Sequence, residues 1–179
     1  MQSRTRFAVL VLAFLSSPVF AFELSSPSIS EGNWDKKFLA TECGGQNVSP
    51  VLEWKDAPAG TRSFVLTMFD RDALEGFGWW HWQVLGIPSS STGLAEGAGS
   101  RQGKLLPKGA IQGTADLGRA GYLGPCARSG TDPHHFVFTL YALKSAKPET
   151  ERAASPGMIV ADIIRDSIAK ASIAYVYQP

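Results

Sequence analysis

Two acids, Asp70 and Asp72, three imidazoles, His81, His134 and His135, and the run Gly124-Pro125-Cys126 are the residues of this chain whose types could do chemistry together. An imidazole has an ordinary pKa of about 6.5, and a carboxylate beside it favours the charged form, which then receives anions. Asp70 and His81 are expected to form such a pair, with the carboxylate fixing the tautomer and orientation of the ring. His134 would add a second donor. Main-chain N–H groups around Gly121 and Gly124 would add a third, because glycine lets a backbone approach a ligand closely. Charge-assisted hydrogen bonds contribute about 1.5–3 kcal/mol each, so three of them make a modest site for one phosphate-like group.

Each of these residues also has a plainer use. Asp72 can cap its own backbone in a turn, and Trp79, Trp80 and Trp82 read as core and pocket wall rather than a stacking platform. His134 and His135 are adjacent, so in a strand one faces a pocket and the other faces solvent or a loop. The same acids and imidazoles define an alternative, a metal-dependent hydrolase with Asp70, Asp72, His81, His134 or His135 as ligands, but no H-x-H or H-E-x-x-H spacing supports it. No Ser or Cys nucleophile is flanked by a base in a recognisable motif, and Gly103-Lys104-Leu105 lacks the hydroxyl of a phosphate-binding loop. The expectation is a protein without enzymatic activity, metal or cofactor.

The elements that must position these groups are strands. Residues 63–69, 81–87 and 135–143 are apolar, β-branched or aromatic runs, and each chemical group lies at the end of one of them. Alternation in 81–87 puts His81, Gln83 and Leu85 on one side and Trp82, Val84 and Gly86 on the other. Residues 37–40 and 51–54 read as further strands around the turn-rich segment 43–47. Asn47-Val48-Ser49 has the form of a glycosylation acceptor, a reading set aside because Pro50 follows. Glycines crowd residues 88–130, which predicts a long looped region held by Leu105, Leu106, Ile111 and Leu117. Ser155-Pro156 opens a helix on which Ile159, Val160, Ile163, Ile164, Ile168 and Ala171 recur at helical spacing; residues 172–177 finish as a strand or an extended tail. Many short strands with one or two peripheral helices make a mainly β single domain.

The amino terminus has a basic start (Arg4, Arg6), an apolar run over 7–15 too short to span a bilayer, and a Val19-x-Ala21 cleavage signal. Residues 1–21 are therefore expected to be a signal peptide and 22–179 the mature domain, periplasmic or secreted, with no transmembrane segment. Cleavage removes Arg4 and Arg6 and no acid, taking the formal charge from +1 to −1. Such a chain has no electrostatic footprint for nucleic acid. Cys43 and Cys126 are the only cysteines; in an oxidising compartment they are expected to pair, the alternative being two separately buried thiols.

Several of these segments together resemble the phosphatidylethanolamine-binding protein family, also called Raf kinase inhibitor-like, and its bacterial YbhB/YbcL branch. The resemblance is carried by Asn47-Val48-Ser49-Pro50-Val51-Leu52-Glu53-Trp54, which looks like the family's N-x-S-P-x-L-x-W, by Asp70-Arg71-Asp72-Ala73-Leu74 and by Gly78-Trp79-Trp80-His81-Trp82. It is carried further by Gly124-Pro125-Cys126 and by Asp132-Pro133-His134-His135-Phe136. Two motifs depart from the pattern: both prolines of D-P-D-A-P are gone, and H-R-Y reads His134-His135-Phe136. The resemblance implies a β-sandwich, a large sheet packed on a smaller one, with a small pocket near one end. It implies Asp70, His81 and His134 as polar contacts to a small anion or phosphorylated headgroup, with Trp79, Gly124 and Pro125 shaping the wall. It further implies inhibition of a protein, a kinase for instance, as a mode of action; a secreted inhibitor working through a surface loop is the variant of that reading.

Overall fold

A computed structural model describes residues 21–30, 33–127, 129–147 and 155–178. The expected signal peptide falls on residues outside this set. Eight strands, β1 (Glu23–Ser25), β2 (Leu52–Lys55), β3 (Ser63–Asp70), β4 (Trp79–Pro88), β5 (Gly93–Leu94), β6 (Ile111–Gln112), β7 (His134–Leu143) and β8 (Ser167–Tyr177), form two antiparallel sheets. The order is β1-β2-β5 in the smaller and β6-β4-β3-β7-β8 in the larger. The helix α1 (Pro156–Asp166) precedes β8.

β3 and β7 are the centre of the large sheet and are buried on both faces, which is why their sequences read as nearly unbroken apolar runs. Phe64, Leu66, Met68, Phe136, Phe138 and Leu140 point to the small sheet and meet Leu24, Leu52, Trp54 and Leu94. Val65, Tyr141 and Leu143 point the other way, onto Ile159 and Ile163 of α1. The large sheet is thus covered by the small sheet on one face and by the helix on the other.

Two predicted elements differ. Residues 37–40 do not form a strand. The Asp35 carboxylate accepts from the Lys37 N–H at 2.9 Å and starts a 3₁₀ turn over Lys36–Phe38, followed by another over Thr41–Cys43, with Phe38 anchored in the core. The helix ends at Asp166, earlier than its apolar spacing suggested, and Ile168 and Ala171 belong to β8. Asp166 pins that end: its carboxylate takes the Ser145 N–H and hydroxyl, and its carbonyl takes the Lys144 N–H. β8 then pairs with β7 along its whole length, from Leu143↔Ser167 to His134↔Tyr177, so residues 172–177 are strand rather than tail.

Candidate functional site

β3 ends at Asp70, β4 begins at Trp79 and β7 begins at His134, so antiparallel pairing brings all three to one end of the large sheet. Asp70 is paired in register with Trp79 on one side and Phe136 on the other. The local geometry of β4 places His81. Met68 faces Trp82 and Phe69 faces Trp80, which leaves His81 as the extra residue of a β-bulge. A bulge re-aims a side chain. Here it turns His81 to the face of Trp82, edge-on to Phe136 at 5.0 Å between ring centroids, instead of the face of Gln83 and Leu85 that simple alternation predicts.

These residues open into a cleft of about 930 Å³, lined by Asp70, Trp79, His81, Gly124 and His134 among others, with the Cys43–Cys126 disulfide in its wall. The two half-cystines, 83 residues apart, have Cα atoms 5.5 Å from each other. Pro125 does not line the cleft; its carbonyl accepts from the Ala40 N–H at 3.1 Å. Gly124 is needed for packing between backbones, since a Cβ there would lie 2.1 Å from the Phe38 carbonyl oxygen.

The expected Asp70–His81 pair is not formed. The carboxylate of the buried Asp70 instead accepts from His134 Nδ1 at 2.7 Å and from the Asp72 N–H at 3.0 Å. His81 donates from Nδ1 to the Leu123 carbonyl at 2.9 Å, and the Leu123 N–H returns a bond to the His81 carbonyl at 3.1 Å. A carbonyl only accepts, so Nδ1 of His81 carries the hydrogen. In both rings Nδ1 is taken by the protein, and Nε2 is left for a ligand. Burial is the largest influence on His81 and holds its imidazole below the ordinary 6.5, against the pull of the Leu123 carbonyl, Asp70 and Asp116 toward the charged form. His81 is therefore neutral where the isolated pair would have been charged.

Asp72 and His135 form a second pair at 2.8 Å, and the same carboxylate oxygen takes the His135 N–H at 2.6 Å. Partial burial pushes the Asp72 carboxyl up, but the His135 backbone and ring bonds and Arg71 outweigh it, and the net shift is below the ordinary 3.8. His134 and His135 leave β7 on opposite faces, and His134 alone of the two lines the cleft. Of the five hydrolase candidates, four form the separate pairs Asp70–His134 and Asp72–His135 and the fifth, His81, is held by the Leu123 carbonyl; among the described residues no three His, Cys, Asp or Glu side chains gather to hold a metal ion.

Of the backbone donors expected around 121–124, those of residues 122–124 are already engaged. The Tyr122 N–H goes to Gly99, the Leu123 N–H to His81, and the Gly124 N–H to Asn47 Oδ1 at 2.8 Å. Asn47, which sequence reasoning did not place at the site, also donates from Nδ2 to the Tyr122 carbonyl at 2.8 Å. It grips the chain on either side of Leu123 and so fixes the carbonyl that orients His81. Its neighbour Ser49 accepts the Gly99 N–H at 2.8 Å. The signal for both was the Asn47-x-Ser49-Pro50 motif itself, and Asn is the non-glycine residue best suited to the positive φ of 54° found there. Leu123 gave no signal, because it acts through its main chain.

A β-sandwich with a helix on the outer face of its larger sheet, and an Asp/His cleft at one sheet end, defines the class, and residues 25–178 match the phosphatidylethanolamine-binding protein family. The chain belongs to that family. It is 39 % identical to the protein YbcL of Escherichia coli over 98 % of both chains, and 39 % identical to YbhB of the same organism over 74 % of this chain and 83 % of the relative. The crystal structure of YbcL superposes with a TM-score of 0.84 over 88 % of this chain and 98 % of that one. A phosphatidylethanolamine-binding protein homologue from Chlamydia trachomatis, 28 % identical, superposes with a TM-score of 0.73 over 89 % and 98 %. Among the described residues no helix is long and apolar enough to cross a membrane.

Proposed function

We propose that this chain is an exported, non-enzymatic binding module whose cleft receives a small phosphorylated headgroup. The observation that carries this reading is the pair of imidazoles at one sheet end, each with Nδ1 held by the protein and Nε2 left for a ligand. Protonated, each Nε2 donates to a phosphate oxygen; neutral, it accepts from a phosphate hydroxyl. Asp70, Asp72, Glu75 and Asp132 line the cleft as well, and no Lys or Arg does so among the described residues. That balance favours a zwitterion, phosphate on the imidazoles and ammonium on the carboxylates, over inorganic phosphate. Both cysteines are consumed in the disulfide, which removes the thiol nucleophile and suits an oxidising compartment. Binding of a protein target is a second reading, favoured by Leu74 (60 % exposed) and Phe77 (87 % exposed) on the segment after Asp72, beside the same cleft.

Titration calorimetry with phosphoethanolamine and with inorganic phosphate, in buffers of different ionisation heat, tests the cleft. Phosphoethanolamine should bind more tightly, with proton uptake and with affinity rising toward mild acid, because His81 must gain a proton to donate. His134→Ala and Asp70→Asn should each weaken it. Equal binding by wild type and both variants, or none at all, refutes the assignment. Amino-terminal sequencing of the protein from its host tests export, with a start at or near Phe22 expected and an intact residue 1–21 segment refuting it.

A further inference from the structure

The opposite end of the large sheet holds a second cavity, built by a second irregularity in β4. Phe64 faces Ile87 and Leu66 faces Val84, so Leu85 and Gly86 together stand against Val65 alone, with Gly86 in the left-handed region at φ 66°. β4 is bulged at both ends, at His81 toward the Asp/His cleft and at Leu85-Gly86 toward this cavity. The volume is about 430 Å³, within the ~300–1,000 Å³ of small-molecule sites. Its floor is apolar, formed by Leu85, Pro88 and Ile111, and its rim carries Arg62, Lys108 and Lys147 with no acid among the lining residues.

The walls are set before any ligand arrives. The Arg62 N–H donates to the Leu143 carbonyl at 2.9 Å, and Ser63 Oγ donates to the Ser145 carbonyl at 2.6 Å, which ties the start of β3 to the turn carrying Ala146 and Lys147. Asp166 holds that turn from the helix side through Lys144 and Ser145. Lys108 sits in a turn closed by the Ala110 N–H on the Pro107 carbonyl at 3.0 Å, and Ile111 is in register with Leu85. Among the described residues none of the three cations has an acidic partner within ion-pair distance, a condition they share with Lys36, Arg101, Lys104, Lys144 and Lys170, but only these three gather on one cavity. A chain of formal charge only +1 has no general excess of cations to place there by default.

We propose that this cavity binds a small amphipathic anion, an apolar ring or short chain lying on Leu85, Pro88 and Ile111 with one carboxylate or sulfonate held among Arg62, Lys108 and Lys147. The site is separate from the Asp/His cleft and does not depend on it. Anilinonaphthalene sulfonate fluorescence on the folded protein, with octanoate as competitor, is the test. Wild type should bind one probe per chain, displaced by octanoate and not by phosphoethanolamine. Replacing all three cations (Arg62→Gln, Lys108→Gln, Lys147→Gln) should weaken binding roughly tenfold, as expected for the loss of three exposed charge contacts. Ala146→Trp, which fills the cavity from an exposed position, should abolish binding, and His134→Ala should leave it unchanged. Circular dichroism confirms that each variant is folded. Binding that survives both Ala146→Trp and the triple replacement, binding lost in His134→Ala, or no saturable binding to wild type would each overturn the proposal.

Discussion

Replacing Asn47 isolates the bond pair that orients His81. The side chain makes two hydrogen bonds of 2.8 Å, one from Nδ2 to the Tyr122 carbonyl and one accepted by Oδ1 from the Gly124 N–H, from a backbone at φ 54°. Each bond contributes about 1–1.5 kcal/mol net, so Asn47→Gly, which tolerates the positive φ, should cost about 2–3 kcal/mol. Asn47→Ala loses the same bonds and adds about 1 kcal/mol of left-handed strain, for about 3–4 kcal/mol. Urea unfolding of the oxidised protein measures both, with the slope against denaturant checked for constancy. Nitrogen NMR of the imidazoles reads the consequence at the site: wild-type His81 should show the Nδ1–H form alone, and Asn47→Ala should introduce the Nε2–H form as the Leu123 carbonyl is released. An Ala variant within about 1 kcal/mol of wild type would refute the bonding argument, and equal Gly and Ala variants would refute the strain argument.

Three further outcomes are expected. Because burial holds the folded His81 below 6.5, the unfolded chain takes up the proton first as pH falls, so stability should decline below about pH 6.5. His81→Asn, which cannot titrate, should flatten that limb of the stability–pH curve, and an unchanged slope between about pH 7 and 5 would contradict it. The disulfide closes a loop of 83 residues, for which chain entropy gives about 4–5 kcal/mol as an upper estimate; thiol labelling of the unfolded, unreduced protein should find no free thiol, and reduction should lower the urea midpoint. Gly124→Ala would drive a Cβ onto the backbone of residues 38–40, within 2.1 Å of the Phe38 oxygen, and should destabilise by about 3 kcal/mol; a melting temperature equal to wild type would show that the two backbones separate freely.

Much of the architecture was legible along the chain because it is written in local chemistry. The continuous apolar runs of β3 and β7 mark strands buried on both faces, Ser155-Pro156 starts α1, and the strand ends collect Asp70, Trp79, His81 and His134. The cysteines could be paired from their number and the expected compartment, and the structure joins them. Errors arose where a long-range partner overrode a local pattern. Ile168 and Ala171 continue the helical spacing, yet ten residues of β7 were waiting to pair with β8. Asp35 drew the start of the segment 37–40 into a 3₁₀ turn.

The site itself shows the same division. Sequence supplied the acids and imidazoles, while which acid met which imidazole was set by registers between segments 64 residues apart. Alternation predicts a side chain's face only while two strands advance together, and the bulge at His81 exists because β4 carries one residue more than β3 opposite it. That extra residue turns His81 onto Phe136, buries it, and delivers it to a main-chain carbonyl instead of Asp70. Residue identity fixed what the cleft can donate and accept. Tertiary structure decided which protons are present to be donated, because burial and hydrogen-bond partners act through distance in space, and neither is a property of position along the chain.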